Sequence, residues 1–520
     1  MRLIVSPATL CAFFAALIAL LATSQMMPLT WDEGESIDRA EKLAAWCHSP
    51  NPLSQESIHK HWIFTTQIEG HPAGYGIVIA AGYAATKHIL PPKTAYRFGP
   101  IFLFALAVGA VFSRLEKTLG VRAAIFAAAA ILLTPRLFAH AHIAACDSTL
   151  TACWLLAWAF FDLKTLGRAA IWGFFLGLTF AAKFTGWIAV IPFFLTVFLL
   201  NEKTLRKRFL LFGSGLGIAL LTFYVLNPPL WFEPIHGFAQ FFTSNTTRKN
   251  FNISILFLGR MYNLDHPLPW YNTLVWTAIT VPVGFLLLGI YGLGTTLQKS
   301  RRRLIVLTAL FHALSLLIVR AVPGTPPHDG VRLFVTAYAF LAIITGIGAD
   351  AFFSFRLRQW RIGIYGVILI YGIGAFNLCW YAPQWLSYYN AAIGGLAGAA
   401  QAGMEPTYYW DSLDRDITDW LEKNTAPNEL IAFSASSVKT LSLQKEWGEL
   451  RTDFYRKNAK EQRGKKVRYY VLQRRPSGEY AADKRLMKRA KPVYTKLVRR
   501  GGVGLWKVDD VPLLEIYEIK

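Results

Sequence analysis

Residues 73–90 read AGYGIVIAAGYAATKHIL. The stretch is apolar and rich in small residues, with Lys87-His88 near its end. As a helix rising 1.5 Å per residue it would reach about 27 Å, close to a hydrocarbon core of about 30 Å. Whether it crosses a membrane decides the side on which every later loop lies. The other apolar runs are roughly 3–25, 97–113, 123–139, 147–163, 169–183, 186–200, 209–227, 273–295, 303–320, 331–350 and 361–382. Arg2 precedes the first run. The basic residues then cluster in every second connection: Arg114, Lys117 and Arg122; Lys164 and Arg168; Lys203, Arg206, Lys207 and Arg208; Lys299 and Arg301 to Arg303; Arg356, Arg358 and Arg361. Excess Lys and Arg mark cytoplasmic loops. All these clusters fall on one side with Arg2 only if 73–90 does not cross. The expected fold is therefore a polytopic α-helical membrane protein of about eleven transmembrane helices. The N-terminus is cytoplasmic, and 73–90 is a helix at the outer surface or dipping partway in.

Composition agrees. Of 520 residues, 54% are hydrophobic and only 17% are charged, too few to cover a soluble surface that usually carries about a quarter. The net charge of +22 would invite a nucleic-acid reading, but the alternating loops absorb much of it and no nucleic-acid module is visible. Five cysteines without CxxC spacing indicate neither a disulfide framework nor a zinc site.

This topology leaves two long outer segments, 26–96 and 228–272, before an outer tail. Residues 1–382 form the expected membrane domain and 383–520 a small C-terminal α/β domain. In the tail, 411–424 patterns as a helix, and Leu430 to Phe433, Val467 to Leu472, Val493 to Leu497 and Leu513 to Ile519 pattern as strands. Lys484 to Lys491 reads as a solvated basic stretch, or as a contact for anionic lipid or polymer.

The charged residues with chemical potential lie at the outer ends of the spans. Trp31-Asp32-Glu33 follows the first span, and Glu69-Gly70-His71-Pro72 precedes 73–90. Arg97 opens the second span. Asp147 opens the fourth, after Arg136, His140 and His142, and Lys183 sits at an outer turn. Asp329-Gly330-Val331-Arg332 enters the tenth. Each alone reads equally well as a charge reaching for the interface. Together they place carboxylates and cations on one face at one depth, which suits a phosphate-bearing lipid substrate.

The ordered set WDE at 31–33, EGHPAGY at 69–75, AYRFGP at 95–100, RLFAHAHIAACDSTL at 136–150, GLTFAAKFTGW at 177–187, LPWYN at 268–272 and HDGVRLF at 328–334 resembles the C-superfamily integral-membrane glycosyltransferases. The likeness is to dolichyl-phosphate-mannose–protein mannosyltransferases, and to the lipid A aminoarabinose transferases of bacteria. It extends through YYNAAIGGLAGA at 388–399 and YYWDSL at 408–413. The chain departs from the mannosyltransferase pattern in reading HPA at 71–73, and it lacks an insert in the 228–272 loop. The resemblance implies inverting transfer of mannose or a related sugar from a polyprenyl-phosphate donor to a hydroxyl of a protein, glycolipid or envelope polysaccharide. By the same resemblance, Asp32 is the catalytic base, Glu33 orients it or meets the acceptor, and Asp147 is the second acid. His71, Arg97 and Lys183, with Arg332, contact the donor phosphate. No cofactor is obligatory. A divalent metal is optional, with Asp32, Glu33, Asp147, His140 and His142 as its candidate ligands. The expected location is a bacterial inner membrane, with the site and the C-terminal domain on the periplasmic side. The competing reading, a transporter or flippase of a lipid-linked or anionic substrate, would require charges near the bilayer midplane and internal repeats.

Overall fold

The computed structural model describes residues 6–63, 72–199, 205–246, 252–296, 300–357, 360–407, 409–456, 466–498 and 511–519. Helices dominate. Those up to Lys183 are α1 (Pro7–Ser24), α2 (Trp31–Cys47), α3 (Gln55–Ile63), α4 (Gly74–Thr86), α5 (Pro92–Leu119), α6 (Val121–Leu132), α7 (Pro135–His142), α8 (Cys146–Phe160) and α9 (Leu166–Ala182). They are followed by α10 (Val190–Phe198), α11 (Leu205–Val225), α12 (Pro234–Thr246), α13 (Asn272–Thr280), α14 (Val283–Thr296), α15 (Ser300–Ala321), α16 (Val335–Phe353) and α17 (Ile362–Trp380).

This is an integral membrane protein. Among the described residues, six helical stretches are long and apolar enough to cross: Pro7–Ser24, Pro92–Leu119, Leu205–Val225, Arg302–Ala321, Gly330–Phe353 and Ile362–Trp380. Two bent pairs raise the number to eight, α6 with α7 at 73° and α13 with α14 at 114°. Pro135 and Pro282 stand at these breaks, where a missing N–H and a restricted preceding residue interrupt a helix. The expected eleven would also require α8, α9 and the Phe184–Phe198 helix to cross, and none of these reaches 18 residues. The decisive segment forms α4, whose 13 residues rise about 20 Å, short of a full crossing.

Small residues let these helices touch backbone to backbone, the usual device where lipid removes the hydrophobic drive for association. A Cβ on Gly82 of α4 would lie 2.3 Å from Gly99 N of α5. One on Gly173 of α9 would lie 2.1 Å from Gly215 O of α11. At one end of the bundle Arg122 and Arg302, from two of the basic connections, both pair with Asp350 at 2.5 and 2.6 Å. Helix α5 runs from that end to Arg97 at the other.

After α17 the chain does not enter a separate unit at once. Trp385, Tyr388, Tyr389, Met404 and Tyr409 are buried in the same core as the membrane helices. A hairpin of β1 (Ile255–Phe257) and β2 (Arg260–Tyr262) is anchored there, with Gly259 N donating to Gly403 O at 3.0 Å. The sheet unit follows, with α18 (Gly395–Gln401) before it. It contains α19 (Arg415–Asn424), β3 (Glu429–Phe433), α20 (Val438–Glu446), β4 (Phe454–Arg456), β5 (Lys466–Gln473), α21 (Ala481–Arg489), β6 (Tyr494–Lys496) and β7 (Leu514–Glu518). The strand order is β4-β3-β5-β7-β6, with β3 parallel to β4 and β5, and β7 antiparallel to β5 and β6. Ile417 and Leu421 of α19 and Leu441 of α20 cover one face of the sheet, through Ile431, Phe433, Val471 and Ile516. The four strands read from sequence are present. The basic stretch at 484–491 lies largely in α21, whose Leu486 and Met487 pack on the opposite face. Helix α20 and β4 had no clear periodic signal.

Candidate active site

Helix α2 begins where the chain leaves α1. Its first turn carries Asp32 and Glu33, favoured beside the unpaired N–H groups of a helix start. The two acids go separate ways. Glu33 is fully buried. One of its carboxylate oxygens accepts from Arg97 Nε at 2.6 Å and Ala144 N at 3.1 Å. The other accepts from Arg97 Nη2 at 2.8 Å and Thr30 N at 3.2 Å. Arg97, also fully buried, sends its remaining donors to the carbonyls of Ser24 and Met27 (2.6 and 2.9 Å, from Nη1) and Pro28 (2.9 Å, from Nη2). Every guanidinium N–H therefore points at a protein acceptor. The expectation that Arg97 binds the donor phosphate is corrected on this ground. Glu33 likewise has no face for an acceptor and does not touch Asp32's partner. The pair is a clamp that fixes the α1–α2 corner.

Asp32 faces the other way, onto Arg332, with Arg332 Nη2 donating to Asp32 Oδ2. Arg332 sits in a short 3-10 turn, Gly330–Phe334, at the entry to α16. Its Nε reaches Asp147 Oδ2 at 2.9 Å and its Nη1 reaches Asp329 Oδ2 at 2.5 Å. Asp147, in the first turn of α8, takes Lys183 Nζ on its other oxygen at 2.5 Å. Four residues predicted for the site, Asp32, Asp147, Lys183 and Arg332, thus meet in one cluster with Asp329. Asp32 is its accessible member: its side chain is 33% exposed, against 4% for Asp147 and Lys183 and 9% for Arg332. His71 lies outside the described residues.

The cluster continues into residues that sequence reasoning did not single out. The Arg332 guanidinium lies 4.6 Å from the Tyr409 ring centroid. Trp31 N donates to Tyr409 O at 3.1 Å, so the α2 start and the post-membrane segment are tied together. Trp31 and Trp410 pack at 4.6 Å. Arg475, just past β5, pairs with Asp329 Oδ1 at 3.1 Å and with Glu405 Oε2 at 3.1 Å. Burial works to raise the Asp329 carboxyl, but Arg332, His328 and Arg475 outweigh it and hold its pKa below the usual value. Beside it, burial first and then Arg332, Arg320 and Arg475 hold His328 down to about 4, against the pull of Asp329. For Tyr409 and Trp410 the sequence signal was the motif YYWDSL at 408–413, and for Asp329 it was HDGVRLF at 328–334.

The five candidate metal ligands do not converge. Glu33 is held by Arg97, while Asp32 and Asp147 share Arg332. His142 uses Nε2 on Thr23 Oγ1 and Nδ1 on Phe138 O, both at 2.8 Å, and stacks on Trp385. Among the described residues no three His, Cys, Asp or Glu side chains group to hold an ion. As arranged, these residues do not fit a metal.

Residues 72–231 match the family described as dolichyl-phosphate-mannose-protein mannosyltransferase. That stretch contains Arg97, Asp147 and Lys183 but neither Asp32 nor Arg332. No curated protein matches the chain in sequence. In fold, the chain is similar to the crystal structure of ArnT from Cupriavidus metallidurans in the apo state. That likeness covers 98% of this chain and 97% of that one, at 13% identity and a TM-score of 0.55. The same protein bound to undecaprenyl phosphate matches over 98% and 97%, at 14% identity and a TM-score of 0.54. The chain thus resembles the mannosyltransferases over its first membrane half and shares the ArnT fold over nearly its whole length.

Proposed function

We propose that this protein is a glycosyltransferase that takes a sugar, mannose or a related one, from a polyprenyl-phosphate donor. The acceptor is a hydroxyl of a protein, glycolipid or envelope polysaccharide. The observation that carries the reading is Arg332, a buried cation shared by Asp32, Asp147 and Asp329 with Lys183 close behind. In support of it, the carboxylate of Asp32 is paired with one cation, and a second cation, Lys183, is held on the far oxygen of Asp147. The match over 72–231 and the ArnT structure solved with undecaprenyl phosphate support the same donor class.

In the transfer, the acceptor oxygen bonds to the anomeric carbon while its proton passes to the Asp32 carboxylate. The bond from that carbon to the phosphate oxygen breaks, its electron pair leaves with the polyprenyl phosphate, and the configuration inverts. Charge grows on the leaving phosphate, where Arg332 and Lys183 stabilise it; losing one such donor typically costs about 10²–10³-fold in turnover. When the phosphate draws Arg332, Asp32 is released from its ion pair and becomes a competent base. Asp147 keeps Lys183 and Arg332 at one depth. Glu33 and Arg97 hold the corner from which Asp32 projects. No step passes through a metal. The site and the sheet unit are assigned to the periplasmic face of a bacterial inner membrane, opposite the end where Arg122 and Arg302 meet Asp350.

The test is Asp32→Asn in purified full-length protein. Transfer from a polyprenyl-phosphate sugar should vanish while undecaprenyl phosphate still binds. Turnover at the wild-type rate would overturn the assignment of the base.

A further inference from the structure

The sheet unit sends one side chain into the cluster. Arg475 follows the end of β5 and is fully buried. Its guanidinium carbon lies 4.0 Å from the Trp410 ring centroid, its Nε is 3.1 Å from Glu405 Oε2, and its Nη1 donates to Asp329 Oδ1 at 3.1 Å. The strand end that carries it is stitched to the same segment. Thr407 Oγ1 donates to Arg474 O at 2.8 Å, and Ser412 N donates to Gln473 Oε1 at 2.9 Å. Asp329 is itself held in a left-handed turn, with φ of 60° followed by Gly330 at 51°, a conformation Asp tolerates better than most residues. That turn presents one carboxylate oxygen to each arginine.

We propose that Arg475 is a positioning residue of the transferase: by sharing the charge of Asp329, it sets how firmly Arg332 is held and so how readily Arg332 can turn to a substrate phosphate. This rests on the functional reading above. The physical logic is competition for one carboxylate. With Arg475 present, Asp329 divides its charge between two guanidinium groups. Without it, the whole charge falls on Arg332, which is pulled from the phosphate position. A planar guanidinium suits this place, since it stacks on the indole and still reaches acceptors on two sides. The plainer alternative is a staple that merely fastens the sheet unit to the bundle. The two differ in one respect: a staple acts on stability whatever occupies position 329, whereas the positioning role runs through the Asp329 charge.

The experiment is a double-mutant cycle on full-length protein, reading the binding of undecaprenyl phosphate. Arg475→Gln should raise the Kd about tenfold in the wild-type background and less than twofold in the Asp329→Asn background. Arg475→Lys, which keeps the charge, should bind closer to wild type than Arg475→Gln. An equal weakening in both backgrounds would overturn the proposal. Hydrogen exchange supplies a readout independent of any ligand. Arg475→Gln should change deuterium uptake in peptides covering 328–334 and 30–36, and the Asp329→Asn background should suppress that change. Unaltered uptake there would also overturn it. If wild-type protein fails to bind undecaprenyl phosphate, the functional reading falls, while the exchange cycle still decides whether Arg475 acts through Asp329.

Discussion

Arg97→Met separates two roles for that residue more cleanly than any other change. Its guanidinium makes two bonds to the Glu33 carboxylate and three to the carbonyls of Ser24, Met27 and Pro28, all out of solvent. Methionine fills much of the space but leaves a buried carboxylate and three carbonyls without those donors. Removing one partner of a buried ion pair costs about 3–5 kcal/mol, because the remaining charge stays desolvated. In a chain of 520 residues that lowers the thermal midpoint by roughly 3–5 °C. Glu33→Gln should cost a comparable amount. The double variant Glu33→Gln/Arg97→Met should be less destabilised than the two single losses added together, by about 2 kcal/mol, since neither charge is then left alone. The assay is thermal unfolding of detergent-purified protein at one fixed scan rate, which keeps midpoints comparable even under irreversible unfolding. The reasoning fails if Arg97→Met unfolds at the wild-type temperature and loses only its affinity for undecaprenyl phosphate. Arg97 would then be a phosphate ligand rather than a clamp.

Lys183→Gln and Arg332→Gln should each weaken undecaprenyl phosphate binding and lower turnover by about 10²–10³-fold, and unchanged kinetics in either would remove that cation from the phosphate site. Gly34→Ala should loosen the contact of α2 with α20. Its new Cβ would lie 2.5 Å from Thr440 N, a backbone atom with little room to retreat, so a loss of about 1–3 kcal/mol is expected. Wild-type thermal stability in that variant would show that the contact yields freely. Asp411 gives a pH test. Its carboxyl is buried with Oδ1 unpartnered, and burial pushes its pKa up to about 6 from 3.8, against the weaker pull of its own backbone and Arg136. The folded chain therefore holds this proton more tightly than the unfolded one. Stability should fall as pH rises between about 4 and 6, by roughly 2–3 kcal/mol, and stay lower above that window. Asp411→Asn should flatten this profile and raise the midpoint at pH 8; an identical pH profile in the variant would refute the shift.

The apolar runs were legible because length and hydropathy are local properties, and so were the strands of the tail, whose alternation survives in short windows. The gathering of Asp32, Asp147, Lys183 and Arg332 was legible for another reason: each stands at the end of a span, and topology alone puts such ends on one face. Partner choice was not legible. Nothing in WDE tells that Glu33 turns inward to Arg97 while Asp32 turns to Arg332. That depends on the helix phase of α2 and on three carbonyls in the preceding corner. Arg475 escaped notice because it is one arginine in a basic tail, and only the close of β5 against residues 405–412 distinguishes it.

The contacts that residues 409–475 make with the α2 start and with Asp329 also bear on how the cluster assembles. Arg475 stands 443 residues after Asp32, so the cluster closes only when two distant stretches of chain are both in place. The α2 start is gripped by Thr440, whose Oγ1 donates to Thr30 O at 3.2 Å, and by Tyr409 through Trp31 N. A chain cut short of Arg475 would therefore lack the Arg475–Asp329 pair even with its membrane helices in place.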